Sequence, residues 1–364
     1  MSKSVFSLPF EQAQGFFKDK LNIPSRRWDD LWQAEHAKGF MVAGAMQADL
    51  LADFRGAVEK AIAGDVTLAQ FREQFDATVQ KHGWSYNGGR NWRSAIIYDT
   101  NVTTAYQAGR WQQFAQAGVT HLMYVHSDGV TNPRPEHVAL HGTVRPIDDP
   151  FWQTHYPPNG WGCQCRAVRA EAEEETEPPQ GWDAVDPRTG APVGVGKGWA
   201  YNVGQAGQEQ GFNSLAAKLE VLPYGIAKSW TASMLSSPPF ERFYTQKSTA
   251  DFPVAVLAPQ DMQALGAGSQ TVWFSAHSLA EHLKKHPDIG LADYRKIQRV
   301  MDAGEVYQNS ELQLTYLYLE IDGKLYRAGI KATASRAENY FLTLFETTEE
   351  KKKTQTIREM KRIR

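Results

Sequence analysis

Residues 134–166 read RPEHVALHGTVRPIDDPFWQTHYPPNGWGCQCR and hold both cysteines of this 364-residue chain beside two histidines. Cys163 and Cys165 are one residue apart, so a disulfide between them is strained and neither has another cysteine to pair with. His137 and His141 have the i, i+4 spacing that places two imidazoles on one face of a helical turn. The four side chains predict a closed tetrahedral site for structural Zn²⁺. The alternative is that they are ordinary surface and core residues that bind nothing.

Between the histidines and the cysteines, aromatic residues alternate with residues that interrupt helices and strands. The aromatic residues are Phe151, Trp152, Tyr156 and Trp161, and the interrupting residues are Pro150, Pro157, Pro158, Asn159, Gly160 and Gly162. Such a run favours neither a regular helix nor a strand. We expect an aromatic-anchored loop whose ends are held together, and a metal ion bound at both ends would hold it.

This stretch resembles the signature of the phage Mu F-like minor head proteins, the head morphogenesis family of tailed bacteriophages. The resemblance rests on Arg134, His137, Leu140, Gly142, Phe151, Trp152 and residues 157–166. Residues 96–114 also resemble the helical segment that precedes the motif in that family, and the likeness extends over about residues 10–169. It implies a virion component, a low-copy head protein associated with the portal and assembled with the capsid. It implies no catalytic role for the motif.

Composition and charge narrow the class of protein. Hydrophobic residues at 42% and charged residues at 22% are ordinary for a globular chain of two or three domains. A net charge of -2 argues against a uniformly basic nucleic-acid binder. The sequence has no 18-residue apolar run and no secretory signal at its start, so we expect no membrane partner. The cysteine usage fits a reducing cytoplasm, and the resemblance implies assembly in the host cytoplasm followed by residence in the virion head.

The predicted fold class is α+β, with a mostly helical N-terminal region that carries the loop-rich Cys/His module. Residues 1–170 form the Mu F-like domain in this interpretation, with a strand at residues 121–126. Its predicted helices cover residues 9–22, 28–40, 47–63, 67–81 and 93–116. Residues 171–270 are predicted to be a connector with short elements. Its first part, up to residue 199, is rich in Glu, Pro and Gly and reads as an extended segment lying over a neighbour.

Residues 271–364 predict a C-terminal domain of helices followed by an antiparallel sheet. Two helices are expected, one capped by Ser275 or Ser278 and one at residues 291–303. Three strands are expected at residues 312–321, 324–332 and 339–347, and Asp322-Gly323 is a strong hairpin signal. Both faces of the first of these strands are partly apolar, so the sheet needs cover on both sides.

This layout resembles the compact α+β nucleases grouped with barnase, EndoU, the tRNA-cleaving colicins and the RelE toxins, in the form found at the C-termini of phage head proteins. The residues that suggest it lie at 274–277, 282–287, 294–306 and 326–331. The resemblance implies a metal-independent ribonuclease. It does not carry an active site over residue by residue.

Metal-independent RNA cleavage needs a base, an acid and cations around the phosphorane, and the C-terminal domain has a matching inventory. Histidine suits the acid and base roles near neutral pH, and Lys or Arg suits the cation role. The candidate catalytic residues are His277, His282, His286, Arg327, Lys331 and Thr333. The alternative is that the histidines are solvated helix residues and the basic side chains line an ordinary sheet face.

Three functions remain open at this point. The chain is a minor head protein with a ribonuclease-like domain, a phage-delivered ribonuclease toxin whose front half is a packaging module, or a purely structural head protein. The basic tail at residues 351–364 is compatible with contact to RNA, DNA or an acidic protein surface.

Overall fold

The computed structural model describes residues 10–206, 213–247, 250–309, 311–356 and 360–364. The chain divides into two compact units, Met1–Glu209 and Gln210–Arg364. This division falls inside the predicted connector, because residues 171–206 belong to the first unit. Pro9, a predicted helix start, and residues 357–359 of the basic tail lie outside the described residues. Among the described helices, none is both long and apolar enough to cross a membrane.

The first unit is mostly helical up to residue 116, as predicted. Its helices there are α1 (Glu11–Lys18), α2 (Glu35–Lys38), α3 (Ala48–Ile62), α4 (Leu68–His82) and α5 (Arg90–Gln116). Two short strands, β1 (Leu21–Asn22) and β2 (Gly39–Phe40), pair in parallel. The apolar face predicted for α3 is buried, since Leu50, Leu51, Phe54, Val58 and Ile62 are almost fully covered.

Two helix ends show how local sequence sets these bounds. Thr67 and Gln70 form a reciprocal capping box at the start of α4, and Gly83 ends that helix in the left-handed conformation at φ +58°. Gly109 on α5 lies directly against α1, where a Cβ would come within 2.7 Å of the Ala13 nitrogen. Only glycine lets the two helices approach this closely.

The single helix predicted for residues 28–40 is wrong. A 3-10 turn at Trp28–Asp30 is followed by Gln33 with φ +47°, and only then by α2 and β2. A left-handed residue ends a helix. The Asp30 carboxylate also accepts from the Arg26 amide at 2.7 Å, which fixes the turn.

The rest of the first unit is built from short elements around a three-stranded sheet. They are β3 (His121–Val125), α6 (Pro135–Ala139), β4 (Val144–Pro146), α7 (Phe151–His155), β5 (Arg166–Ala170), a 3-10 turn (Ala172–Glu174), β6 (Val185–Asp186), β7 (Ala191–Pro192) and α8 (Val203–Ala206). β3 is the central strand, antiparallel to β4 and to β5, and it confirms the strand predicted there. Leu122 and Tyr124 alternate inward from it and are fully buried.

The second unit packs helices on a seven-stranded sheet. Its helices are α9 (Asn213–Val221), α10 (Tyr224–Met234), α11 (Pro238–Tyr244), α12 (Pro259–Leu265), α13 (Ala276–Lys285), α14 (Leu291–Tyr294), α15 (Ile297–Ala303) and α16 (Glu349–Thr356). Its strands are β8 (Phe252–Val256), β9 (Thr271–Phe274), β10 (Glu305–Asn309), β11 (Leu314–Ile321), β12 (Lys324–Ala332), β13 (Asn339–Thr347) and β14 (Lys361–Arg362). The strand order is β14-β10-β11-β12-β13-β9-β8, and every neighbouring pair is antiparallel except β13 with β9. The α+β fold class is confirmed.

The strongest sequence signals of this unit are confirmed. Asp322 and Gly323 both have positive φ, +55° and +76°, as a type I′ hairpin requires, and they join β11 to β12 in the expected register. Ser275 caps α13 by accepting from the Ser278 amide. The sequence did not reveal β8, β9 and β10. β8 is buried along its whole length without alternation, and it contains Pro253, which is tolerated because β8 is an edge strand.

Candidate metal centre

The first unit brings one histidine and both cysteines together in its interior. His137 Nδ1 lies 3.5 Å from Cys165 Sγ and 3.7 Å from Cys163 Sγ, and the three ligand atoms are all within 4.8 Å of one another. Their side chains are only 3%, 5% and 2% exposed for His137, Cys163 and Cys165. Nitrogen and sulfur ligands at the usual zinc distances of about 2.1 and 2.3 Å lie roughly 3.6 Å apart in a tetrahedron, so this His/Cys/Cys triad has metal-binding spacing.

Local sequence explains how the triad forms. α6 begins with Pro135 at its first turn, a favoured position for proline, and carries His137 inward. The loop turns at Gly162, whose φ is +68°, just before the cysteines. In the segment between this turn and β5, Cys163 and Cys165 are buried and Gln164 between them is exposed. The Cys-x-Cys spacing thus aims both thiols at one histidine.

The imidazole of His137 is oriented by the opposite side of its ring. Nε2 lies 2.8 Å from the Gly194 carbonyl oxygen, so Nε2 carries the proton and donates it. Nδ1 is then left as a lone-pair donor facing the two sulfurs. Hydrogen bonding of the second ring nitrogen to a carbonyl is the usual support of a metal-ligating histidine.

The two thiols behave as a coupled pair. The Cys163 thiol donates to Cys165, and this bond is the main cause that lowers the pKa of Cys165. The same shared hydrogen bond and burial raise the pKa of Cys163. The shared bond thus favours ionisation of one thiol of the pair, and a thiolate is the form of cysteine that binds a metal ion.

His141 does not join the triad. Its ring is exposed, and its Nδ1 accepts from the His126 amide at 3.2 Å. The α6 helix ends at Ala139, so the helical turn assumed for an i, i+4 pair is not continued as far as His141. The four-ligand set predicted from spacing is thereby reduced to three in the described residues.

The aromatic loop is anchored as the sequence predicts, but it is not irregular throughout, because Phe151 and Trp152 lie on the short helix α7. Phe151, Trp152 and Tyr156 are fully buried, and the Tyr156 hydroxyl donates to the Gln107 carbonyl of α5 at 2.8 Å. Trp161 differs from them, because it remains 36% exposed. The loop thus has a buried base and a surface tip.

Residues 55–168 match the family model described as Phage Mu protein F like protein. This range contains the complete His/Cys/Cys triad and the aromatic loop. We call these matched residues the Mu F-like region. It covers α4, α5, β3, β4 and the first part of β5, together with about half of α3.

Two relatives extend the comparison. The chain is 38% identical over 180 residues to "Putative capsid assembly protein F" of Escherichia phage Mu, which covers 45% of this chain and 40% of that protein. It is 32% identical over 218 residues to "Mu-like prophage FluMu F protein" of Haemophilus influenzae, covering 49% of this chain and 52% of that protein. The chain thus spans about half the length of these curated relatives, or less. No solved structure matches it significantly.

Residues 193–196, which follow the Mu F-like region, complete the site, and this role was not predicted from the sequence. Gly194 accepts from His137, and the Val193 carbonyl lies 3.0 Å from Nε2 of His155, whose pKa burial lowers to about 4. The Gly196 amide donates to the Asn159 carbonyl at 2.8 Å. The signal that could have found it is the run Val-Gly-Val-Gly at residues 193–196, since glycines allow such close backbone approach.

In the second unit, the predicted catalytic histidines have three different environments. His277 is exposed. His282 is 3% exposed, with Nε2 2.7 Å from the Leu344 carbonyl oxygen and Nδ1 3.1 Å from the Tyr294 hydroxyl. Burial lowers the pKa of His282 to about 4. This placement does not suit proton exchange with an outside substrate, and it makes His282 a link between α13 and β13.

His286 and Arg327 do come near each other. The His286 ring stacks on Phe345 with centroids 4.5 Å apart, and the Arg327 guanidinium lies 5.2 Å from the same ring and 3.6 Å from that of Tyr316. Burial lowers the pKa of His286. We call His286, Phe345, Arg327 and Tyr316 the sheet-face column. Arg327 is 8% exposed, so packing between rings covers most of its charge.

The two other predicted catalytic residues are at the surface or in a turn. Lys331 is exposed at the far part of β12, four residues beyond Arg327. Thr333 lies in the turn after that strand, where its hydroxyl accepts from the Glu338 amide at 3.2 Å. No contact of either side chain with the sheet-face column is seen in the described residues.

Proposed function

We propose that this chain is a minor head protein of a tailed bacteriophage, assembled with capsid and portal proteins in the host cytoplasm and then carried in the virion head. The observation that supports it is the Mu F-like region, in which a buried triad closes a loop that presents an aromatic tip. A relative of 38% identity is named as a capsid assembly protein. In this role the region acts by recognition of head partners, because its loop is made of anchors and turns.

Within this function, Zn²⁺ is the structural ion of the loop. Two cysteine sulfurs and one imidazole are a ligand set that suits zinc, and His137 already has its Nε2 proton directed away from the site. A fourth ligand, solvent or a donor from a head partner, would complete the tetrahedron. A bound ion would require both thiols to be deprotonated, and it would tie α6 to the segment just before β5.

Trp161 is the residue we assign to partner recognition. It packs edge-on against Trp28 and Trp199, with ring centroids 6.0 and 5.1 Å apart, and its carbonyl accepts from Arg134 at 2.7 Å. The side chain is therefore held in place although it is partly exposed. Aromatic residues held rigidly at a surface are frequent anchors of protein interfaces.

The test is incorporation into heads assembled in infected or induced cells. Trp161→Ala should reduce the amount of protein found in purified heads by about tenfold while the free protein stays folded. Val185→Ala, at a residue 68% exposed in the same unit, is the matched apolar control and should incorporate normally. Normal incorporation of folded Trp161→Ala protein would remove the loop from partner recognition.

We propose as a second function that the C-terminal unit cleaves RNA without a metal ion. This is the activity implied by the resemblance of its helix-then-sheet layout to the compact nucleases. The observation that favours it is the sheet-face column, in which an imidazole and a guanidinium both contact one aromatic ring. His286 would serve as acid or base and Arg327 would stabilise phosphate charge. His277, Lys331 and Thr333 remain candidates at its margin. His282 is assigned a structural role instead.

Incubating the full chain with total RNA in EDTA tests this activity. Cleavage should leave 2′,3′-cyclic phosphate ends, and His286→Ala should lower the rate by roughly 10²-fold. Lys284→Ala, at an exposed lysine of the same helix, should leave the rate unchanged. If tRNA, rRNA and mRNA all remain uncut, the ribonuclease proposal is rejected and the interpretation as a purely structural head protein remains. Cleavage by a chain that is delivered into cells by the virion would favour the toxin alternative.

A further inference from the structure

A large cavity lies in the first unit, beside the tip of the aromatic loop. Its volume is about 800 Å³, and its walls come from α5, from the turn before α5, and from residues 26–44. Trp161 and Trp199 close one side of it. Pockets that bind ligands commonly have volumes of about 300–1,000 Å³. The cavity extends beyond the Mu F-like region, since Lys20 and Trp199 both line it.

The charged side chains of this cavity have one sign. Lys20, Arg26 and Arg93 line it, and among its described lining residues there is no aspartate or glutamate. Lys20 is 4% exposed, and its ammonium donates to the His36 carbonyl at 2.7 Å instead of to a carboxylate. Arg27 also lines the cavity, but its charge is paired with Asp29. An anionic group inside the cavity would be stabilised by Arg26 and Arg93, for which the described residues show no carboxylate partner.

Aromatic rings supply much of the remaining surface. Trp92 is 57% exposed and lies flat on Gly88, where a Cβ would come within 2.7 Å of the ring. Trp28 and Trp161 form a second edge. The cavity therefore combines apolar anchors and cations.

We propose that this cavity binds an acidic peptide segment that carries an aromatic residue, supplied by a capsid protein. The inference rests on the proposed head function for the identity of the partner. A carboxylate side chain would pair with the exposed Arg26 guanidinium, and an aromatic side chain would pack on the exposed Trp92. Single-stranded nucleic acid is the less suited occupant, because it needs a continuous row of accessible cations along its backbone, and Lys20 is almost fully covered.

The probe is a fluorescein-labelled peptide of about ten residues with one Phe flanked by Asp and Glu, titrated with the purified full chain. Replacing Asp and Glu by Asn and Gln in the peptide should weaken binding at least tenfold, and replacing Phe by Ser should weaken it by a similar factor. An oligothymidine of comparable length is the competitor. Displacement of the peptide by this competitor at equal or lower concentration would overturn the assignment in favour of nucleic acid.

Variants of the protein locate the site. Arg26→Ala removes an exposed cation of the cavity and should weaken binding of the acidic peptide about fivefold, and Trp92→Ala about tenfold. Lys60→Ala, at an exposed lysine of α3 away from the cavity, is the control and should leave binding unchanged. Equal affinity for acidic and neutral peptides, or unchanged binding by both Arg26→Ala and Trp92→Ala, would refute the inference. Head incorporation is measured separately, so failure of the peptide assay with normal incorporation rejects this inference without rejecting the head function.

Discussion

The chain contains the spacing His-x-x-x-His twice, and the two units use it differently. His137 and His282 are both 3% exposed, but His137 faces two thiols whereas His282 contacts the Leu344 backbone and the Tyr294 hydroxyl. Their partners at i+4 also differ: His141 is exposed, and His286 stacks on Phe345. The spacing alone therefore does not define a site. What distinguishes a metal ligand from a structural histidine is the chemistry of the groups that surround its free nitrogen.

The largest expected effect separates the two histidines of the first pair. His137→Ala should abolish zinc binding, and it should lower the free energy of unfolding of the metal-loaded protein by on the order of 5 kcal/mol, because the binding energy of a structural ion is folding energy. His141→Ala should keep about one zinc per chain, since His141 lies outside the triad. Elemental analysis and thermal unfolding, with and without chelator, measure both. Zinc loss in His141→Ala would restore the four-ligand set, and metal-free protein of unchanged stability would reject the site.

The strongest local signals in the sequence were sufficient for much of the fold. The Asp322-Gly323 hairpin, the bounds of β12 and β13 and the apolar face of α3 were all predicted, because each depends on neighbours in sequence. The break at Gln33 was missed because a non-glycine residue in the left-handed region carries no recognisable sequence signal. The triad was likewise predicted only in part. Cysteine chemistry predicted His137, Cys163 and Cys165. The hydrogen bond from His137 to Gly194 was missed, because it joins residues 57 positions apart and leaves no periodic pattern in the sequence.

The second unit should respond to loss of its buried histidine without any change in metal content. His282→Ala removes a ring that bonds Leu344 and Tyr294, and the expected loss is roughly 2–4 kcal/mol from the cavity and the unsatisfied groups. His277→Ala, on the same helix but exposed, should be neutral. Denaturant unfolding measures both. Equal destabilisation by the two variants would show that His282 is not the link between α13 and β13.

The same histidine predicts a pH dependence. Burial lowers the folded-state pKa of His282 to about 4, below the usual value of 6.5, so the unfolded chain binds more protons between these values. Stability is therefore full above about pH 6.5 and falls as the pH is lowered toward 4. The difference in the free energy of unfolding between the wild type and His282→Ala should therefore become smaller as the pH falls from 6.5 to 4. A difference that stays constant from pH 7 to pH 4 would contradict the burial of a neutral imidazole.

The smallest expected effect concerns Lys20, a buried ionisable group for which the described residues show no carboxylate partner. Burial, reinforced by Arg55, lowers the pKa of Lys20 from 10.5 to about 7. Between these values the unfolded chain binds the extra proton, so the stability of the wild type rises with pH. Lys20→Met should raise stability at pH 6 by roughly 1–3 kcal/mol, and this gain should diminish toward pH 10 as the wild-type amine becomes neutral in the folded state.

Lys18→Met, at an exposed lysine of the neighbouring α1 helix, should show neither the gain nor the pH dependence. A Lys20→Met protein that is less stable than the wild type at every pH would mean that the ammonium is compensated in the folded protein, and the charge imbalance of the cavity would then be smaller than its lining residues indicate.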